Sequence, residues 1–534
     1  MSELNQCLVL QTPGAMVGGT GKKLNNFVGI EFTRGVSNNG GVNGYHKMLG
    51  DEELLSSLDL FNKSIKLALI NNGYTKVILN QLNINKTESG ATVDLACGDG
   101  SDIMQRIDGM WAIIGGTDPI YERYIYSDTY FEYGNDKAVW YEAHAEAPDK
   151  LVVVNGVSRS IFSNNPGYMG VTKATEISDG SFANANGYPS ANISRDEFEN
   201  YARAKNENRS SNFPYCNGTV HDLEFMLGIL FIEMRTKDFT KVFGHGISSN
   251  VMPNDTNWND TSGFRTTVAG VKKYFTFNSS IWIGGTSITI WNALNSQSSL
   301  LKVLQAQKEI SDGGVLESVK NTDDIALPGV SNGVMTGIYK KTITFTLNCA
   351  FTESETDAAH TFELHLCIPV WRGATWMQGN IWQNLSGYDV INYRGAGESA
   401  VHNLLYRAKS IADIITDGEN AFHTDINQKF GVEAAYEFVC DLGSVGGWTT
   451  DVITKNGVSL AITKGTKAAI NNYQSAYLSL LQESINNARW RYNAGLFGSY
   501  AHFAQCVPRY CSTRYKVVDA ASYISGRFRC RLNS

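Results

Sequence analysis

Residues 490–534 run WRYNAGLFGSYAHFAQCVPRYCSTRYKVVDAASYISGRFRCRLNS, aromatic and glycine-rich at both ends. Gly495-Leu496-Phe497-Gly498-Ser499-Tyr500 open the stretch, and Gly526-Arg527-Phe528-Arg529-Cys530 close it. Between them, residues 502–515 mix Phe, Gln, Cys, Pro, Arg, Tyr, Ser and Thr with neither a helical nor a strand period. Tyr, Arg and His supply contact area and directional polar bonds at low ordering cost, so this composition suits a surface that touches a partner. Eight basic residues (Arg489, Arg491, Arg509, Arg514, Lys516, Arg527, Arg529, Arg531) stand here against one acid, Asp519, in a chain of net charge −7. That local excess favours an anionic ligand such as an acidic glycan. The plain alternative is that Arg527, Arg529 and Arg531 alternate along a strand whose outer face is solvated.

The rest of the composition narrows the function classes. A length of 534 residues allows two to four domains with ample core. With 51 Gly and 25 Tyr, and many Asn and Ser, the chain reads as a β-rich, irregular globular fold. The acidic balance argues against general nucleic-acid binding, which needs a basic footprint. Residues 1–12 lack the basic and apolar regions of a secretory signal. The most apolar helix candidate, residues 223–234, is short and contains Glu224 and Glu233, so no membrane insertion is expected. The nine cysteines form no CxxC pair, which speaks against structural zinc. Their odd number suits reduced thiols in a chain made in a cytoplasm, including that of a host in which a virus particle assembles.

Along the chain, Val17-Gly18-Gly19-Thr20-Gly21-Lys22-Lys23 lacks the Gly-Lys-Ser/Thr ending of a phosphate loop. Residues 52–72 carry Leu54, Leu55, Leu58, Leu60, Phe61, Ile65 and Leu69 at helical spacing, and residues 1–90 read as an attachment or oligomerisation segment. Asp99, Ser101 and Asp102 read as a polar turn ahead of a strand, not as a calcium loop. The aromatic run from Tyr121 to Trp140 suits a half-buried sheet. Ser194 and Glu197 form a capping box, with Ile193 and Phe198 as its staple, predicting a helix to about Lys205. A second helix is expected after Thr219, with Leu223, Met226, Leu227, Leu230, Phe231 and Met234 buried and His221 exposed on its first turn. Residues 255–365 alternate as strands, with an acidic loop exposed over 350–361. Trp376 and Trp382 then offer a large area to bury, with Arg372 expected to satisfy backbone carbonyls beneath them.

Several of these stretches, in this order, resemble the C-type lectin fold shared by formylglycine-generating enzymes and the variable proteins of diversity-generating retroelements. They are Asp99-Gly100-Ser101-Asp102-Ile103-Met104, then Asn192-Ile193-Ser194-Arg195 with Phe198, Tyr201, Ala202, Arg203 and Ala204, followed by Gly244-x-Gly246-Ile247. Next come Trp371-Arg372-Gly373 with Gly379-Asn380-Ile381-Trp382, and finally Trp490-x-x-Asn493-Ala494-Gly495-Leu496-Phe497 with the Gly526–Cys530 frame. Trp371 stands where the family has Tyr, Ser386-Gly387 where it has Asp-Gly, and Arg527 is an extra residue before Phe528. The resemblance implies an α+β fold: a C-type lectin fold with an irregular β-rich core, two helices and a β-rich insertion. Its parts would be residues 91–254 and 366–534, with the insertion at 255–365.

In the retroelement proteins, a diversified binding surface precedes the closing strand. Carried onto this chain, the ligand-binding candidates are His502, Phe503, Gln505, Arg509, Tyr510, Ser512, Arg514, Tyr515, Asp519, Ser522 and Tyr523. The resemblance implies a receptor-binding phage fibre or virion-surface adhesin, or a bacterial surface adhesin, that recognises a bacterial cell-surface protein or glycan. Partners would include other virion or fibre subunits and further copies of the chain, trimeric by analogy. No cofactor, metal or catalytic residue is implied. Cys506 and Cys511 lie out of register with the thiol pair of the formylglycine-generating enzymes, whose matching positions hold His502 and Val507. The competing readings are a structural virion protein whose surface docks neighbouring subunits, and a thiol oxidase of the formylglycine-generating type.

Overall fold

The computed structural model describes residues 27–34, 46–50, 60–80, 83–93, 101–146, 150–151, 194–199, 215–237 and 240–243. Further along it describes 263–266, 274–275, 280–283, 286–289, 315–317, 336–348, 359–372, 374–375, 382–393, 402–409, 436–444, 447–448, 451–455, 458–462, 476–479, 490–496, 509–512, 519, 524–526 and 528–533. These residues form an α+β fold dominated by strands.

The first sheet has five antiparallel strands in the order Val139–Tyr141, Met110–Gly115, Tyr121–Ser127, Val28–Thr33 and His46–Gly50. Both of its faces are covered. Ala112, Ile114, Tyr124 and Tyr126 join the main core on one side, while Leu49, Ile113, Ile125, Phe131 and Ala138 pack together on the other. The inner strands Met110–Gly115 and Val28–Thr33 are therefore rich in buried apolar side chains, while the edge strands His46–Gly50 and Val139–Tyr141 keep exposed side chains.

Against the first sheet lies the helix Val220–Met234. Thr219 caps it: its hydroxyl accepts from the Asp222 amide at 3.2 Å and donates to the Asp222 carboxylate. At the other end Arg235 turns left-handed, at φ 50°. The expected stripe is buried, but so is every other residue of the helix except Glu233. His221, expected at the surface, is 8% exposed. The helix is covered by the first sheet and by further chain around it, so an amphipathic reading understates its burial. Gly228 is where helix and sheet come closest, because a β-carbon there would overlap the Tyr126 hydroxyl. That hydroxyl donates to the Phe225 carbonyl.

The second sheet runs Tyr215–Asn217, Phe528–Arg531, His144–Glu146, Asp102–Ile107, Ile65–Asn71, Tyr74–Asn80 and Asn83–Thr87. The helix expected across 52–72 is confined, among the described residues, to Leu60–Ser64; Ile65 begins a strand. A two-residue turn at Asn72-Gly73, with φ of 52° and 80°, folds this strand back on the next. Asn-Gly at positive φ matches the right-handed twist of a hairpin, and buried Leu67, Ala68, Leu69 and Ile70 complete the strand. Strands on either side of residue 90 therefore share both sheets.

A third, eight-stranded sheet has the order Tyr436–Asp441, His402–Ala408, Trp382–Tyr393, Trp490–Leu496, Arg509–Ser512, Ala476–Ser479 and Gly447–Trp448, with Ile524–Ser525 parallel to Trp382–Tyr393. A fourth sheet lies in the stretch where alternation predicted strands. Its spine is the long hairpin Gly337–Asn348 and Ala359–Val370, flanked by Gly263–Thr266 with Tyr274–Phe275 and by Val315–Glu317. Of the loop expected over 350–361, residues 359–361 belong to that hairpin and the others lie outside the described residues.

Candidate functional site

The closing segment is held at both ends by strands of different sheets. At its front, Trp490–Leu496 pairs antiparallel with Trp382–Tyr393, from Gln383↔Leu496 to Asn392↔Trp490. Arg509–Ser512 then follows, joined to the previous strand at Gly495↔Ser512 and running parallel to Ala476–Ser479. At its back, Phe528–Arg531 inserts between His144–Glu146 and Tyr215–Asn217, pairing with both. Inside a sheet, every backbone group of a strand is paired on two sides, so this end is a firm anchor.

Gly526 sits at the crossing from the third sheet to the second. A β-carbon there would lie 2.7 Å from Asn217 Oδ1 and 3.0 Å from the Phe198 ring. Asn217 in turn donates to the Asn384 carbonyl at 2.6 Å. Phe198 is fully buried and packs 5.0 Å from Phe528, centroid to centroid. It belongs to the helical turn 195–199, whose capping box closes as expected: the Ser194 amide donates to Glu197 at 2.9 Å, and the Glu197 amide to the Ser194 hydroxyl at 3.2 Å. From the same turn, Arg195 bridges Glu199 at 2.9 Å and Asp389 at 2.8 Å, and donates to the Tyr388 carbonyl at 3.0 Å. These buried charges join the turn to the strand that carries the front of the segment.

The back is secured by charge as well. Arg529 is 0% exposed, contrary to a solvated strand face. Its Nε donates to Asp222 at 2.9 Å and its Nη2 to Glu142 at 3.0 Å. Asp222 also lies 3.4 Å from His144 Nε2. Burial is the largest influence on the Asp222 carboxylate and works against it, but Arg529, His144, Thr219 and His221 together outweigh it and hold it below the ordinary range. Burial pushes His144 down and His221 down to about 4, so both rings are neutral near pH 7. An Asp–His pair invites comparison with a proton relay, yet His144 and Asp222 are 1% and 2% exposed, and a substrate would have no approach to them. The cluster ties the closing strand to the helix N-terminus. Of the basic residues expected to face a ligand, Arg529 is therefore committed inward, whereas Arg531 is 53% exposed beside Glu142.

Arg372 also departs from expectation. It meets the Glu233 carboxylate and donates to Asn62 Oδ1 at 2.9 Å, while the neighbouring Trp371 indole donates to the other Glu233 oxygen at 2.6 Å. A buried cation finds a carboxylate before it finds carbonyls, because only the carboxylate neutralises it.

Of the candidate contact residues, Arg509, Tyr510 and Ser512 share one strand, opposite Ala476, Tyr477 and Ser479. Asp519 is half-buried. His502, Phe503, Gln505, Arg514, Tyr515, Ser522 and Tyr523 lie outside the described residues, as do Cys506 and Trp376. Among the described residues, no group of three or more His, Cys, Asp or Glu is placed to hold a metal ion. No described helix is long and apolar enough to cross a membrane. Comparison with protein-family models, with curated proteins and with solved structures finds no match to this chain.

Proposed function

We propose that the chain is a non-enzymatic receptor-binding protein, a phage fibre or virion-surface adhesin that recognises a bacterial surface protein or glycan through residues 502–523. The observation that carries this reading is the double anchorage of the closing segment: Trp490–Leu496 in the third sheet and Phe528–Arg531 inside the second. A contact surface carried between two anchored strands can change its side chains without loosening the scaffold. Weak single sites would gain strength from several copies on one particle.

The test replaces Arg509, Tyr510, Arg514 and Tyr515 together by alanine and measures binding of the labelled protein to a panel of bacterial strains. Loss of binding with an unchanged thermal melt supports the reading; full binding by the variant overturns this placement of the surface. Diversification has its own test in the flanking DNA: an imperfect repeat of codons 490–531, with mismatches confined to adenines, beside a reverse-transcriptase gene.

A further inference from the structure

A second contact surface lies on the first sheet, away from the closing segment. Two of the large apolar side chains that stand clear of the core meet the same indole, that of Trp111: Tyr130 at 39% exposure and Trp140 at 49%. Trp140 pairs with Trp111 across the edge of the sheet, with ring centroids 5.5 Å apart and planes inclined at 60°. Tyr130 meets the other side of Trp111 at 5.0 Å and 84°. Two exposed rings therefore flank one half-buried indole.

These rings are held before any ligand arrives. Gly109 leaves the space that the six-membered ring of Trp140 fills, since a β-carbon there would overlap it. The turn bearing Tyr130 is fixed by the Thr129 amide donating to Ser127 Oγ at 3.1 Å. The Tyr130 hydroxyl donates to Glu132 Oε1 at 2.7 Å, and Lys137 stands 3.8 Å from the same oxygen. The rim thus carries hydroxyl, carboxylate and ammonium groups whose charges balance.

We infer that Trp111, Tyr130 and Trp140 form a stacking site for a neutral pyranose of a polysaccharide. The C–H face of such a ring is apolar and weakly positive, so it suits the electron-rich face of an indole, while its hydroxyls suit Glu132, Lys137 and Tyr130. Three features favour this occupant. A balanced rim does not select an anion. Charged groups beside the rings resist burial in a lipid surface. A three-residue edge strand that follows Lys137, itself 75% exposed, discourages strand pairing with a second copy. The inference stands independently of the proposed use of residues 502–523.

The test titrates the full chain with the methyl β-pyranosides of glucose, galactose and N-acetylglucosamine and their tetrasaccharides, up to about 10 mM because a single stacked ring gives roughly millimolar affinity. Binding is read by tryptophan fluorescence and calorimetry. At least one neutral saccharide is expected to bind, with Trp140→Ala and Tyr130→Ser each weakening it about tenfold, the size of one lost ring contact. Tyr130 lies on an exposed turn, so its variant serves if Trp140→Ala melts early. Absence of binding across the panel overturns the inference, as does binding that both variants retain. Preference for a sulfated analogue excludes the neutral ligand, and a dimer in sedimentation that Trp140→Ala dissociates, without saccharide binding, assigns the patch to a second copy.

Discussion

His221 is the residue whose burial has the clearest measurable effect. Both of its ring nitrogens are buried on the first turn of the helix, beside the Ala408 backbone but with no hydrogen bond of good geometry among the described residues. Burial disfavours its charged form, and the nearby Arg407 guanidinium adds to that, lowering its pKa from 6.5 to about 4. The unfolded chain therefore binds a proton that the folded chain refuses. Stability is full above pH 6.5 and declines as the pH falls from there toward 4, by up to about 3 kcal/mol from this ring. His144, shifted down beside Asp222, Arg529 and Glu142, loses stability in the same direction. Asp222, held low, contributes its loss only at more acid pH. His221→Leu is expected to raise the melting temperature at pH 7, because two unsatisfied polar atoms disappear, and to flatten the decline between pH 6.5 and 4. A melt series over that range checks both; an unchanged slope would remove His221 as a cause.

Among the elements, the closing strand is bound to the helix by a contact that joins positions 222 and 529. Arg529→Met leaves Asp222 charged and buried without its cation, which costs about 3–5 kcal/mol. Arg531→Met, two residues on, breaks only a half-exposed pair with Glu142 and costs under about 1 kcal/mol. Hydrogen exchange at Phe528–Arg531 should separate the two variants by orders of magnitude, and equal protection would contradict the assigned roles. The same pair shows what a sequence reveals of its elements. Thr219 with Asp222, and Ser194 with Glu197, are caps written within three residues, so both helix starts were legible. Arg529 read as facing either a ligand or solvent because its partner is remote in the chain. Ile65 and Leu69 continue the helical spacing of Leu60 and Phe61 although they lie on a strand, which stops at the Asn72-Gly73 turn at the end of the window; Leu54, Leu55 and Leu58 lie outside the described residues.

Over the whole molecule, the α+β class came from the resemblance, while the β-rich character followed from glycine content and the strand-rich stretch after residue 255 from alternation. The interleaving did not: the second sheet draws strands from 65–87, 102–107, 144–146, 215–217 and 528–531. The place of the candidate surface between two frames was read from the sequence, but what holds them was invisible, since it depends on Asn217, Phe198 and Asp222, each hundreds of residues away. Removing residues 524–534 takes an interior strand from the second sheet and should abolish the protease-resistant core that includes 28–146. Limited proteolysis decides it, because survival of that core would make the closing strand peripheral. The arrangement also has a consequence for biosynthesis. While the ribosome is still translating, the edge of His144–Glu146 waits for Phe528–Arg531, a partner made much later in the chain. Until then the nascent chain carries an unsealed seam, so a product that stops before residue 528 lacks an interior strand of the second sheet. Emergence of residues 528–531 from the exit tunnel is thus what allows the second sheet to close.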